Sequence, residues 1–154
     1  MSTKEEFIDR LNNALSWELA GIIQYMQHSV MVTGPMREML SDFFHEGSEE
    51  ARDHAELVGN RVAALGGVPS VEPAKIRQAT DVEGMLEAAL ALEEDALAAW
   101  EAAHAAADAA APGYLFWIEE HVAEEQEHVD ELRKMTKSVS FADQDISGGQ
   151  SQSG

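Results

Sequence analysis

Apolar residues recur along this chain with the three-to-four-residue period of an amphipathic helix, in four long stretches that each end at a recognisable stop. In the first, Phe7, Leu11, Ala14, Ile22, Tyr25 and Val32 mark one face until Gly34-Pro35 ends the run, and Thr3 with Glu6 has the form of a capping box. This predicts a helix over about residues 4–33. The second predicted helix begins near Met36 and stops at Gly66-Gly67, with Pro69 just beyond. Thr80 and Glu83 repeat the capping-box pattern and open a third, which runs to the alanine-rich stretch around Ala109. Pro112 suits the first turn of a fourth, continuing to about Ser138. Alanine, glutamate and leucine dominate and β-branched residues are nowhere clustered, so the predicted fold class is all-α.

The connections set the topology. Short turns join the first helix to the second and the third to the fourth, which makes each pair antiparallel. Between the second and third lie about fourteen residues, Gly66 to Ala79. Extended at roughly 3.3 Å per residue, that segment reaches ~46 Å. A 28-residue helix is ~42 Å long, so the linker can cross the whole bundle. The expected architecture is one domain over residues 1–138, an antiparallel four-helix bundle with one long crossover between helices two and three. Residues 139–154 are rich in Ser, Gly, Gln and Asp and are expected to be a disordered polar tail.

One acidic residue interrupts each of three inward stripes. The first helix reads Leu11, Leu15, Glu18, Ile22, Tyr25, Ser29, Val32; the third Leu86, Leu90, Glu93, Leu97, Trp100; the fourth Ile118, Val122, Glu125, Val129, Leu132. An unpaired carboxylate in a core is costly and needs a partner or a proton. Salt bridges are hard to build here. No Lys or Arg occurs between Arg10 and Arg37 or between Arg77 and Arg133, leaving Arg52 and Arg61 of the second helix as the candidates.

Imidazoles complete the pattern, and it occurs twice. Glu18 is followed 32 residues later by Glu50, with His54 beyond, and Glu93 is followed 32 later by Glu125, with His128 beyond. Glu50/His54 (i, i+4) and Glu125/His128 (i, i+3) each place carboxylate and imidazole on one helix face. A lone Glu-x-x-His is a weak signal in an acidic helix; two such pairs, each with its seam glutamate, are a strong one. Four glutamates carry four negative charges, which two divalent ions neutralise, with His54 and His128 as neutral nitrogen ligands. Glu18, Glu50, His54, Glu93, Glu125 and His128 are therefore the candidate metal ligands. Oxygen-rich ligation with one imidazole per ion suits iron, or manganese, better than structural zinc.

Charge and composition narrow the remaining classes. The formal net charge of −19 argues against nucleic acid as a partner, because phosphate binding needs clustered Lys and Arg. It suits a soluble, cation-attracting surface. The chain has no cysteine, which excludes disulfides, iron–sulfur clusters and thiolate zinc sites. No apolar segment of signal-peptide or membrane-spanning type is present, so no membrane partner and a cytoplasmic location are expected. A two-fold dimer is the minimum expected from the apolar and aromatic surplus on the helices, and a larger shell is compatible with it.

Residues 11–28 (Leu-Asn-Asn-Ala-Leu-Ser-Trp-Glu-Leu-Ala-Gly-Ile-Ile-Gln-Tyr-Met-Gln-His) resemble the first helix of bacterioferritins and their ferritin-like relatives. His54-Ala-Glu56, Leu65 to Pro69, Ala91-Leu-Glu93 and Glu125 to Asp130 continue the likeness, which spans roughly residues 5–135. The resemblance implies a ferritin-like bundle with two iron ions. Glu18, Glu93, Glu125, His54 and His128 are its implied ligands, and Tyr25 is the implied tyrosine beside the site and the catalytic candidate. Read as residue alone, Tyr25 is a core tyrosine with a satisfied hydroxyl.

Three departures stand out. The family's Glu-x-x-His on the second helix is broken, because Ala51 lies three before His54. Either Glu50 ligates instead, through a local π-bulge, or that helix gives His54 alone. Arg52 stands where a haem-ligating methionine would, so haem is not expected. The polar tail replaces the short fifth helix of cage-forming relatives.

The expected function is a di-iron ferroxidase using Fe(II) with O2 or H2O2, for iron storage or detoxification. The alternatives are a di-iron or manganese–iron oxidase or peroxide scavenger without mineral storage, and a metal-free helical interaction module. His45, Glu46 and Glu49 resemble an iron-guiding acidic cluster of bacterioferritin cages, but the residues by themselves read first as a solvated helix face. Trp100, Trp117 and the methionines read as core or subunit-interface residues, and His28, His104 and His121 receive no role.

Overall fold

A computed structural model describes residues 1–142, and four α-helices make up most of them: α1 (Thr3–Met31), α2 (Arg37–Ala64), α3 (Val82–Ala110) and α4 (Leu115–Met135). The expected tail is described only as far as residue 142, and residues 143–154 lie outside the described residues. Helix starts fall one residue away from the sequence expectation. Ser2, not Thr3, caps α1: its hydroxyl accepts from the Glu5 amide while the Glu5 carboxylate accepts from the Ser2 amide. Asp81, not Thr80, caps α3, accepting from the amide of Gly84. In both cases the cap is the last extended residue before the helix, which frees its side chain to reach the open amides. Pro112–Tyr114 form a 3₁₀ turn ahead of α4, and α4 ends at Met135, three residues short of Ser138.

The stops at Gly34 and Gly66 are real, and both adopt positive φ (99° and 85°) that a side chain would oppose. After α2, the amides of Gly66 and Gly67 return to the carbonyls of Ala63 and Val62, closing the helix.

The crossover lies along α1. Asn12 clamps it on either side of Pro69, donating to the Val68 carbonyl and accepting from the Ser70 amide. Further on, the Ala74 amide donates to the Ser16 carbonyl, and the Arg77 amide to the buried side chain of Gln24. Gln24 in turn donates to Ala88 of α3, so one amide side chain ties strap, α1 and α3 together. The long linker thus runs nearly the length of the bundle, as its reach predicted.

All neighbouring helices are antiparallel. Ser41 and Ser48 of α2 donate to the Ser29 and Ile22 carbonyls of α1. On α3, Trp100 and Glu93 meet Glu18 and Tyr25 of α1 in reverse order. The backbones of α2 and α4 stay more than 8 Å apart, and side chains span the gap. The core is divided in two. One cluster centres on Phe7, Leu11, Val62, Trp100 and Ile118, the other on Phe44, Met85, Leu92 and Leu132. Between them lies a band of buried polar groups.

The predicted stripe of α3 is rotated. Leu86, Leu90 and Leu97 are only half-buried, and the buried row is Met85, Ala89, Leu92, Ala96, Ala99 and Ala103. Since α3 packs on both α1 and α4, alanines occupy the line of closest approach and the leucines flank it. Glu93 sits on the buried side of this row.

Candidate metal centre

Three carboxylates occupy the polar band. Glu18 comes from α1, Glu93 from α3 and Glu125 from α4, each at the point where an apolar stripe was interrupted, and all three are buried. His54 from α2 and His128 from α4 face them. Two groups of possible ligand atoms result, each within 4.8 Å of one another: Glu18, His54 and Glu125, and Glu93, His128 and Glu125. Glu125 is common to both. At the first pole, His54 Nδ1 is 3.5 Å from Glu18 and 3.9 Å from Glu125. At the second, His128 Nδ1 is 3.8 Å from Glu93 and 3.9 Å from Glu125.

No arginine or lysine neutralises them. Arg52 pairs with Glu56 on the exposed face of α2, and Arg61 lies over the rings of Tyr114 and Trp117. The electrostatics are those of an overcrowded anionic pocket. Glu125 is only 2% exposed; its burial, with repulsion from Glu93 and Glu18, holds its pKa well above the usual carboxylate range. Burial also pushes Glu93 up, but hydrogen bonding with Glu125 and His128, the His128 charge and the Tyr25 hydroxyl outweigh it and hold its carboxyl at about 2. Hydrogen bonding to Glu93 is the main reason that the His128 imidazole rises to about 9. At His54, burial opposes the cation, yet contact with Glu18 and the charge of Glu124 win and its pKa is raised.

The residues fit a pair of metal ions. Glu125 Oε2 is buried with no hydrogen-bond partner among the described residues, a costly state for a carboxylate unless a cation or proton satisfies it. Three carboxylates and two imidazoles supply an oxygen-rich donor set with one nitrogen per pole.

Glu50 is placed differently from its two companions on the repeat. Its Oε2 is 3.1 Å from His128 Nε2, and its side chain is half-exposed at the rim. No π-bulge draws it inward: α2 is continuous α-helix from Arg37 to Ala64. The reason is helical rise. Glu50 lies one turn, ~6 Å, along α2 from His54, and because α4 runs the opposite way, that step moves from the level of Glu124 to the level of His128. Position 51, buried and pointing at α1, holds alanine; a Cβ at Gly21 would stand 3.2 Å from the Ala51 Cβ.

Tyr25 is beside the centre, and both of its readings meet. It is buried, and its hydroxyl donates to Glu93 Oε1 at 2.6 Å. Burial and the surrounding carboxylates push its pKa well above 10, so it is a neutral donor. Gly47 makes room for its ring, since a Cβ there would lie 3.0–3.1 Å from the ring carbons.

Trp100 plays the matching part at the first pole, donating from its indole N–H to Glu18 Oε1 at 3.1 Å. From the sequence it reads only as a core or subunit-interface residue. The available signal was its place two turns after Glu93 on an inward stripe, where a buried indole N–H needs an acceptor. Glu124 and His121 were missed as well. Glu124 Oε2 is 2.9 Å from His54 Nε2, and the His121 ring stacks on Trp100 at 4.4 Å, with burial and the His54 charge pushing its pKa down to about 4. His121 lies one turn before Glu125 on the same face, which was legible. His45 pairs with Glu49 on the exposed face of α2.

Access differs between the poles. His128 borders a cavity of about 120 Å³ that Tyr25, Phe43, Glu46, Gly47 and Glu50 also line. His54 is instead backed by the ring of His121, which is in turn packed against Trp117.

Known proteins carry the same framework. The sequence model of the ferritin-like domain (ferritin) matches residues 8–140. A bacterial ferritin of Pseudomonas aeruginosa is 37% identical over 99 residues, 64% of this chain and 64% of that one. The bacterioferritin of Brucella melitensis is 32% identical over 138 residues, covering 86% and 83% of the two chains. A nutrient stress-induced DNA-binding protein of Synechococcus sp. is 31% identical over 98 residues. The chain spans 64% and 56% of the length of the first two curated relatives it matches. Among solved structures, one described as ferritin like, diiron-carboxylate proteins from Bacillus anthracis is 30% identical, with a TM-score of 0.84 over 88% of this chain and 99% of that one. With its four-helix architecture and its buried carboxylate–imidazole clusters, the chain belongs to the ferritin-like family.

Proposed function

We propose that the protein is a ferroxidase, which takes up Fe(II) between the four helices and oxidises it with O2 or H2O2 for storage or detoxification. The observation that carries this reading is the shared Glu125, whose buried carboxylate stands between two carboxylate–imidazole clusters with one oxygen unpartnered. Glu125 would bridge two ions, Glu18 and Glu93 would each hold one terminally, and His54 and His128 would give one nitrogen to each. Glu50 would join from the rim on the His128 side.

Bound iron supplies the one-electron chemistry. The chain supplies the rest. Its carboxylates neutralise the ions, Trp100 and Tyr25 fix one oxygen each of Glu18 and Glu93 as neutral donors, and Glu124 on His54 Nε2 sets the tautomer that leaves Nδ1 facing the centre. The two apolar clusters on either side keep the band dry. Haem has no part in this proposal, since Arg52 is an exposed partner of Glu56.

No helix among the described residues is long and apolar enough to cross a membrane, and a cytoplasmic site of action is proposed. Exposed Ile23, Met26 and Val30 on α1 and Met39 and Leu57 on α2 support a homo-oligomer. The net charge of −19 argues against DNA as a partner, whatever the name of the Synechococcus relative records of that protein.

The test is direct. Fe(II) added to metal-free protein in air should oxidise rapidly, leaving ferric absorption bound to the protein. Rates unchanged in Glu18→Ala and Glu125→Ala would overturn the assignment. Counting irons retained per chain then separates roles: two indicate a closed redox site, many indicate storage.

A further inference from the structure

A third group of ligand atoms converges on the outer side of His54. His54 Nε2, a ring nitrogen of His121 and a carboxylate oxygen of Glu124 all lie within 4.8 Å of one another. Glu124 Oε2 is 2.9 Å from His54 Nε2 and 3.9 Å from His121 Nδ1. Support for His54 explains Glu124 alone. It does not explain His121, which is only 6% exposed and whose Nδ1 has no hydrogen-bond partner among the described residues. A purely structural ring at that place would be better apolar, because a buried nitrogen without a partner costs free energy. The ring is also held in place. It stacks on Trp100 at 8° and meets Trp117 and His54 edge-on, at 5.0 and 4.9 Å.

We propose that His54, His121 and Glu124 form a third divalent-cation site, which receives an incoming ferrous ion before His54 passes it to Glu18 and Glu125. Two imidazoles and one carboxylate suit a borderline divalent ion such as Fe(II). Glu124 is half-exposed and faces solvent, whereas Glu18 and Glu125 are buried behind His54. A neutral imidazole has one lone pair, so His54 serves the outer ion or the inner one, never both. The outer site is therefore a station used in turn with the centre, and it gives the enclosed pole a route for metal that avoids the cavity beside His128. This inference rests on the two-iron reading of the centre.

The experiment uses Co(II), which is redox-inert in air at such sites and whose visible absorption reports nitrogen and oxygen ligation. In Glu18→Gln/Glu125→Gln, which removes carboxylates from both poles, one Co(II) per chain should still bind. Adding His121→Phe, which keeps the aromatic stack, or Glu124→Gln, which alters a solvent-facing side chain and spares the core, should weaken that binding by at least about tenfold. In the otherwise unaltered chain, His121→Phe should leave two Co(II) bound and slow Fe(II) oxidation at low iron, raising KM more than it lowers kcat. If the double variant binds no Co(II) while the unaltered chain binds two, the third site is wrong and the centre stands. The third site is equally wrong if the double variant binds one ion that ignores both added substitutions. If the unaltered chain binds none, both readings fall.

Discussion

The two poles of the centre share Glu125 and use the same residue types, yet they are built for different access. At the first, Glu18 is held by an indole and His54 is backed by the His121 ring, with 12% of its side chain exposed. At the second, Glu93 is held by a phenol and His128 is 31% exposed beside a cavity. Trp100 and Tyr25 do the same electrostatic task with different volumes. The larger ring stacks on the His121 imidazole that backs His54, and the smaller borders the cavity that Gly47 also lines. A repeated ligand pattern therefore need not give a symmetrical site; the neighbours that orient each carboxylate also decide who can reach it.

The largest expected effect removes what the poles share. Glu125→Gln keeps the shape but takes away the charge common to both clusters, so on the proposed reading metal binding at both should fall by more than the ~10–100-fold that loss of a supporting partner costs. Metal-free protein should become more stable at the same time, since like-charge repulsion with Glu93 and Glu18 goes with it. A gain of about 1 kcal/mol corresponds to a Tm rise of ~2–4 °C in a domain of this size. Metal titration and calorimetry on one sample test both signs; loss of metal together with loss of stability would contradict the crowded-anion account.

Next come the two donors. Trp100→Phe removes the indole donor from Glu18 Oε1, which then keeps only His54 Nδ1 at 3.5 Å, and should cost about 1–3 kcal/mol of stability in the metal-free protein. Tyr25→Phe should cost less, because Glu93 borders the cavity, where water can replace the lost hydroxyl, and its effect should fall on the rate of Fe(II) oxidation. Denaturant melts with stopped-flow oxidation compare them. Equal effects on both readouts would erase the difference between the poles.

A smaller and more local effect is expected from Gly47→Ala. Its methyl would press on the Tyr25 ring at 3.0 Å, shifting the hydroxyl off Glu93. Affinity for the second ion should drop a few-fold while the first is unchanged, read from the two steps of a Co(II) titration.

The smallest effect lies outside the centre. His28 is fully buried with both ring nitrogens unpartnered among the described residues, and burial lowers its pKa below 6.5. Below about pH 6.5 the unfolded chain takes up a proton that the folded chain resists, so stability falls as pH falls from there. In His28→Leu that fall should be shallower by at most one proton, measured as Tm against pH between 7 and 5. An unchanged slope would mean that His28 carries none of the acid sensitivity.

Much of this was legible in the chain. The helices, their glycine stops and the reach of the crossover all follow from periodicity and chain dimensions. Glu18, Glu93 and Glu125 were visible because each breaks an apolar stripe, and the scarcity of Lys and Arg pointed to cations from outside. Three things were not visible. Caps fell one residue off, at Ser2 and Asp81, because the choice depends on which residue is last extended. The α3 face was rotated, because α3 packs on two helices and its alanines take the close approach. Glu50 shifted to the other pole because spacing along one helix does not say what lies opposite it.

The sequence by itself therefore determined the bundle, the level of the polar band and the types of side chain in it, since these depend on local periodicity and on charge that must be neutralised wherever a core forms. Only the tertiary structure decided which imidazole meets which carboxylate, that Trp100 and Tyr25 are the two neutral donors, and that one pole is enclosed while the other is open. Those relations depend on the antiparallel register of separate helices. That register is set by packing among residues far apart in the chain, which no single-helix pattern records.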